Sequence, residues 1–305
     1  MNGIIPLWKP RGMTSHDCVF KLRKILKTKK VGHSGTLDPD VDGVLPICVG
    51  RATKVVEYLQ DSRKVYQGEV TLGFSTETED KSGAVIEETP ITTPFAEKVI
   101  DEAIASFVGT INQQPPMYSA VKVNGKRLYE YARAGETVER PIRQAQIYRY
   151  QRTSDIIYDA HTQTQKWSFE VECGKGTYVR TLAVDTGKKL GVAAHMSDLT
   201  RLSSGGYTAV DSLTLEEVQE IVSNGKIEET FFALETALSE FKRLDITEAQ
   251  YAKVKNGAIL PNDYFGTVVS DEPVAIFYQE SARCIYASHP TKTGLIKPIK
   301  VFRND

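Results

Sequence analysis

The sequence predicts an α+β protein that ends in a small β-rich unit. Three observations carry this. Short apolar runs of strand composition recur along the 305 residues. Amphipathic helix patterns stand between several of them. After residue 240 only short strand-like runs remain, split by polar turns.

Taken in order, Ile4-Ile5-Pro6-Leu7-Trp8 reads as a strand, placed near a sheet edge by Pro6. Lys9-Pro10-Arg11-Gly12-Met13 is a turn, and Thr14 or Ser15 is placed to cap a helix. Val19, Leu22, Ile25 and Leu26 give that helix an apolar side, and Lys21, Arg23, Lys24 and Lys27 a basic one. The stretch from Gly32 to Pro46 packs glycines, prolines, a histidine and three acids together, so it is expected as one shaped loop. Pro39 pushes Asp38 toward an extended backbone, which fixes the direction of its carboxylate. An ordinary turn with a capping Asp has the same look, and the residues alone leave both readings open.

Ala52–Leu59 has a helix pattern with Val55, Tyr58 and Leu59 inward. Lys64–Gly73 has strand alternation, with Tyr66 and Val70 on one side and Val65, Gln67 and Glu69 on the other. Gly68 marks a bulge or a close approach. Phe74–Gly83 is polar and turn-rich, and Ala84-Val85-Ile86 resumes a strand. Pro94–Phe107 is a helix candidate with Val99, Ile100, Ala103, Ile104 and Phe107 on one side, stopped by Gly109. Ile111–Ser119 reads as irregular, stiffened by Pro115-Pro116. The run Ala120-Val121-Lys122-Val123, a turn at Asn124-Gly125 and a helix over 127–134 follow. Ile142–Ile157 and Trp167–Cys173 have strand patterning, joined by a polar connection. Cys173–Thr177 turns into a helix over Tyr178–Lys189, ended by Gly191. Ala193–Gly206 reads as a strand-edge segment and turn, and 211–248 as helical and connecting. The final unit of about sixty residues is too small to stand alone comfortably, so it is expected to pack on the main body.

Composition excludes several classes. No run of eighteen apolar residues exists, so no membrane span is predicted, and the N-terminal segment lacks signal-peptide character. Cys18, Cys48, Cys173 and Cys284 are far apart and form no CxxC pair, which fits a reducing cytoplasm. Neither the five histidines nor the acids have metal-ligand spacing, and no phosphate loop or GxGxxG is present. The acid-rich loop lacks EF-hand order, and Cys173 has no base partner nearby. Net charge is −1, but it is unevenly spread. Residues 1–31 hold eight basic side chains against Asp17 alone, net +7, while 211–248 is net −7. A local basic face can bind phosphates on a neutral protein. Lys122, Lys126, Arg127, Arg133, Arg140 and Arg143, interleaved with Tyr129 and Tyr131, form a second basic patch. Asp38, Tyr66 and Arg180 lie in separate segments, each near a glycine, and a carboxylate paired with an arginine is held in one direction.

With Lys9–Ser15, the loop Gly32–Gly43, Gly50-Arg51-Ala52-Thr53-Lys54, Gln114–Gly125, Cys173–Arg180 and Leu199-Thr200-Arg201 in hand, the chain resembles the TruB-type family of pseudouridine synthases along its whole length. Departures are Ser34 for a commoner Thr, Val41 for Ala and Glu77 for Asp. The resemblance implies a mixed, largely antiparallel sheet flanked by helices over 1–240, with a thumb-like RNA-binding insertion at about 120–150. Residues 241–305 would form a short PUA-like domain. It implies isomerisation of the T-loop uridine at position 55 of tRNA, with no cofactor or metal. Asp38 would be the catalytic carboxylate, Tyr66 would stack on the flipped uracil, and Arg180 would hold Asp38 ionised and aimed. Leu199 would pack beneath the base, and His33 and Asp80 would support the pocket. Lys9, Lys21, Lys24, Lys29, Lys30, Lys122, Arg127, Tyr129, Arg133, Lys175 and Arg201 would contact RNA. The expected partner is tRNA, not DNA or membrane, and the expected state is a monomer. Two other readings stay open: a non-catalytic tRNA-binding or folding factor, and the same chemistry on another RNA.

Overall fold

The computed structural model describes residues 1–270 and 272–303. Strand β1 (Gly3–Lys9) leads to helix α1 (Ser15–Ile25). Thr14 starts that helix: its hydroxyl accepts from the Asp17 amide at 3.0 Å, and the Asp17 carboxylate accepts from the Thr14 amide at 2.9 Å. The exchange satisfies donors that the first turn leaves free. Cys18, Val19 and Leu22 are buried, while Lys21 and Lys24 face out.

Next come β2 (Val31–His33) and β3 (Asp42–Val49). The shaped loop is therefore shorter than the sequence predicts. Only 34–41 is irregular, and 42–46 is strand. Pro46 is tolerated inside the sheet because it stands opposite Pro6 of β1. Neither residue of such a pair needs to donate across the gap. Their carbonyls point outward and accept the Ser34 and Leu213 amides at 3.1 and 3.0 Å.

Helix α2 (Val56–Asp61) precedes β4 (Lys64–Leu72), whose burial alternates as predicted around Tyr66. Strands β5 (Phe74–Thr76) and β6 (Val85–Glu88) form a hairpin around the polar turn, so Phe74–Thr76 is strand and not turn. Helix α3 (Glu97–Ala105) buries Ile100, Ala103 and Ile104, but Val99 is 44 % exposed. It ends before Gly109, which opens β7 (Gly109–Gln113) and draws Ile111–Gln113 out of the expected irregular segment. Strands β8 (Lys122–Val123) and β9 (Lys126–Arg127) and helix α4 (Leu128–Ala134) form the insertion. Then come β10 (Arg143–Arg152), β11 (Ile157–Asp159) and β12 (Thr164–Cys173). Helix α5 (Val179–Leu190) is closed by left-handed Gly191. Strands β13 (Ala194–Ser204) and β14 (Tyr207–Thr208), helix α6 (Leu215–Ser223), β15 (Lys242–Asp245), α7 (Glu248–Val254), β16 (Leu260–Pro261), β17 (Val274–Tyr278), β18 (Ser281–Ser288) and β19 (Leu295–Val301) complete the order.

The main sheet has ten strands in the order β1-β3-β13-β4-β12-β10-β7, with β2 on β3, β11 on β12 and β14 on β13. It is mixed but largely antiparallel, since β13 and β3 pair in parallel. Here β13 is central, not an edge. Its apolar alternation is broken by register shifts after Met196 and Arg201 and by the buried polar side chains of His195 and Arg201. Helices α3 and α5 share one core with β4, β10, β12 and β13, and α1 and α6 share another with β1 and β3. A second sheet, β15-β17-β18-β19-β16, follows. It packs on the main body through Ala275, Phe277, Ala282, Ile285 and Phe302, which share a core with Ile4, Val44, Cys48, Val55, Leu59 and Leu238. Among the described residues, no helix is long and apolar enough to cross a membrane.

Candidate active site

The loop over 34–41 is bonded at almost every residue. The Leu37 amide donates to Ser15 Oγ at 2.8 Å, and that hydroxyl donates back to the Leu37 carbonyl at 3.2 Å. Lys9 Nζ donates to the Pro39 carbonyl at 3.1 Å, and also to Met13 at 2.5 Å and Pro10 at 2.9 Å. Arg201 donates through Nη2 to the Gly35 carbonyl at 3.3 Å and through Nε to the Val44 carbonyl at 2.7 Å. Leu37 and Val41 are buried, and the Asp38 side chain between them stays 39 % exposed.

Arg180, on the first turn of α5, grips Asp38 with two nitrogens: Nε lies 3.0 Å from Oδ2, and Nη2 donates to Oδ1 at 3.4 Å. The guanidinium is nearly buried, and two of its three remaining hydrogens go to the Thr78 carbonyl at 2.8 Å and the Tyr118 carbonyl at 3.1 Å. Asp80 Oδ2 lies 3.9 Å from Nη1. A planar fork held at all three of its nitrogens has one orientation, so the carboxylate it holds has one too. Burial pushes the Asp38 carboxyl above its ordinary value, Arg180 pulls it down, and Asp80 pushes it up again. The open tip of Asp38 limits the push from burial. The arginine therefore opposes desolvation rather than simply lowering the pKa, as the sequence led us to expect.

Tyr66 stands opposite Val171 and Arg201, and Leu199 opposite Gly68. Both belong to one apolar cluster with Leu37, Val41, Val179 and Leu182, the residues that flank Asp38 and Arg180. Gly68 is a close approach: a Cβ there would lie 2.6 Å from the Phe169 ring and 2.9 Å from Leu199 Cδ1. Tyr66 is only 8 % exposed, and burial pushes its phenol up, with the nearby Arg201 guanidinium pulling it back. His33 is half-buried at the end of β2, takes the Gly35 amide on Nδ1 at 3.3 Å, and is pushed down by burial. Asp80 holds its own turn, accepting from Thr78 Oγ1 at 2.7 Å and the Ser82 amide at 2.9 Å.

The expected RNA contacts divide. Lys21, Lys24, Lys29 and Lys30 are exposed on and after α1. Lys122, Arg127 and Arg133 are exposed on the insertion, with half-buried Tyr129 between the two arginines, 5.8 and 5.3 Å from its ring centre. Lys175 is exposed and paired with Asp61 at 2.5 Å. Lys9 and Arg201 do not fit the expectation. They are 0 % and 1 % exposed, their donors bond to backbone carbonyls, and they shape the loop from below. Sequence reasoning passed over Ser15, read as a cap, and the carbonyls of Thr78 and Tyr118, which no side-chain pattern marks. It also passed over Tyr178, just ahead of α5, whose amide and carbonyl are held by the Gln113 side chain at 3.0 and 3.1 Å and whose phenol is pushed up by burial; its place two residues before Arg180 was the available signal.

Residues 23–179 match the model of the TruB family pseudouridylate synthase N-terminal domain, and residues 180–241 that of the tRNA pseudouridylate synthase B C-terminal domain. A protein of Halalkalibacterium halodurans named tRNA pseudouridine synthase B is 52 % identical over 307 residues, covering 100 % of this chain and 99 % of that protein. One of the same name from Lactiplantibacillus plantarum is 52 % identical over 304 residues, covering 99 % of each. Among solved structures, a chain of a Cbf5-Nop10-Gar1 complex superposes with a TM-score of 0.73 at 27 % identity, over 99 % of this chain and 85 % of that one.

Proposed function

The chain belongs to the TruB family of pseudouridylate synthases, and on that premise we propose that it converts the uridine at position 55, in the T-arm loop of tRNA, to pseudouridine. The reaction breaks the N1–C1′ bond, turns the uracil and forms a C5–C1′ bond. The proton leaves C5 and N1 gains one, so the product is an isomer. The observation that carries the reading is Asp38, gripped from two sides by a nearly buried Arg180.

A base within a folded loop has to leave its stack before the sugar bond is reachable, at a cost of a few kcal/mol. We assign Tyr66 and Leu199 to the wall and floor that receive it; base–aromatic stacking restores roughly 1–3 kcal/mol. Asp38 meets the reacting nucleotide, Arg180 aims it, and Asp80 supports Arg180. His33 keeps the entry to the loop in shape. Lys21, Lys24, Lys29 and Lys30, with Lys122, Arg127, Tyr129, Arg133 and Lys175, would hold the A-form stem by phosphates and shape. The C-terminal PUA-like sheet, from about residue 241, would extend that surface. Four free, buried cysteines accord with a reducing cytoplasm, where the chain would act as a monomer.

The test is mapping of pseudouridine in an unmodified tRNA transcript incubated with purified protein alone. The wild type is expected to modify one T-loop position. Asp38→Asn is expected to abolish the product and keep tRNA affinity within about tenfold, because it removes chemistry and not surface. Turnover by pure Asp38→Asn protein would refute the catalytic assignment.

A further inference from the structure

The turn between β5 and β6 carries a carboxylate that the mechanism leaves unused. Glu79 has a left-handed backbone, φ 65°, which costs a non-glycine residue about 1–2 kcal/mol. Backbone bonds pin it there: its amide donates to the Thr76 carbonyl at 3.1 Å, and its carbonyl accepts from the Met196 amide at 3.0 Å. The side chain turns inward and is 16 % exposed. Its Oε2 accepts from the hydroxyl of Thr181, the neighbour of Arg180, at 2.6 Å. Its Oε1 lies 3.9 Å from Nη1 of Arg140. Burial pushes this carboxyl up, and Thr181, Arg180 and Arg140 pull it down.

Arg140 stands where the insertion returns toward β10. Its Nη1 donates to the Pro115 carbonyl on the outgoing side at 3.0 Å, and its own carbonyl accepts from Gln114 at 3.4 Å. The two ends of the insertion are thus tied at Arg140, and Glu79 ties them to α5. The same turn and the same insertion supply Thr78 and Tyr118, the carbonyls that hold Arg180.

We infer that Glu79 is a positioning residue: through Arg140 and Thr181 it fixes the root of the insertion against α5 and so sets the aim of Arg180 at Asp38. The inference rests on the pseudouridine synthase reading of the site. Loss of the link lets the Tyr118 carbonyl drift from Arg180, and a displacement of about 1 Å near a reacting group can cost up to about a hundredfold in rate.

Single-turnover pseudouridine formation and tRNA Kd, measured for wild type, Glu79→Gln, Arg140→Met and the double variant, test it. Glutamine still offers Thr181 an acceptor but turns an amide toward Arg140. Arg140→Met cuts the same link from its other end, should the glutamine disturb the turn. Each single change is expected to slow the step about tenfold with Kd within about twofold, and the double variant to be no slower than the slower single. Wild-type rates, losses that multiply in the double variant, or a loss confined to Kd would overturn the inference. A wild-type protein that makes no pseudouridine would overturn instead the reading beneath it.

Discussion

Asp38 is pulled two ways, and the two pulls have different consequences for activity and for stability. Its pKa lies above the ordinary 3.8 because burial outweighs Arg180. A carboxylate that acts ionised works above its folded pKa. The single-turnover rate is therefore expected to fall as pH is lowered through that raised value, at a pH higher than a free aspartate would give, in a profile measured on intact tRNA. Stability runs the other way. A group with a raised folded pKa binds its proton more tightly when folded, so its contribution is full below 3.8 and is lost as pH rises through the folded pKa. Asp38 thus makes its ionised form, the one the proposed reaction uses, the less stable one, and Arg180 limits that cost. A rate profile with its acid limb at or below the ordinary aspartate value would contradict this. Residue identity was legible in the sequence at this scale, but burial was not. Lys9 and Arg201 carry charges that read as phosphate contacts, yet both lie at or near zero exposure beneath the loop. A lysine pointing down into carbonyls and one pointing out to solvent have the same letter and the same neighbours.

At the scale of elements, the site is a meeting of the 34–41 loop, the first turn of α5 and the paired strands β4 and β13. Glycines set how closely these approach. Gly43 has φ +119°, and a Cβ there would lie 2.2 Å from the Arg201 carbonyl oxygen across the parallel β3–β13 pair. Gly12 has φ +82° but open space around it. Gly43→Ala is expected to destabilise the fold by about 3 kcal/mol or more, and Gly12→Ala by only about 1 kcal/mol. Urea midpoints at constant slope would measure both, and equal costs would rule out steric closeness as the difference. Where one local signal decides an element, the sequence reads correctly. Thr14, one of the two caps the sequence offers, starts α1, Gly191 ends α5, and Tyr66 and Val70 share a face of β4. Where a tertiary partner decides, it does not. Pro46 looks like a strand breaker until Pro6 is seen opposite it, and β13 looks like an edge until its bulges are seen to absorb buried polar residues. The Asp38–Arg180 pair was legible only through motif resemblance, since 142 residues separate the two and no spacing rule spans that gap.

At the scale of the molecule, the small C-terminal sheet is part of the body. Its Ala275, Phe277, Ala282, Ile285 and Phe302 close one face of a cluster that includes Ile4 and Val44, both 0 % exposed and both on strands of the main sheet. Polar ties run along the same seam. Arg303 pairs with Glu235, Lys300 with Glu57 at 2.5 Å, and Lys54 donates to the Val301 carbonyl at 2.9 Å. The Lys300–Glu57 pair is largely exposed and contributes little, and Arg303–Glu235 is a single, less exposed pair, so the apolar cluster decides the outcome. Uncovering a buried Val, Leu or Ile costs roughly 1.5–3 kcal/mol each when complete, and several are uncovered at once if the chain is ended at Phe241. A loss of several kcal/mol corresponds to a fall in Tm of roughly 10 °C or more for a chain of this size. The shortened chain is expected to show that fall in a thermal melt, or to aggregate through the bared face of β1 and β3. β3 also runs directly out of the Asp38 loop. Damage at the seam therefore reaches the site through one strand, and residual activity in the shortened chain should decay with its folded fraction and not with its RNA affinity. An unchanged melt would mean that the two sheets are independent bodies in contact, and that the strands of the main sheet are stabilised from within.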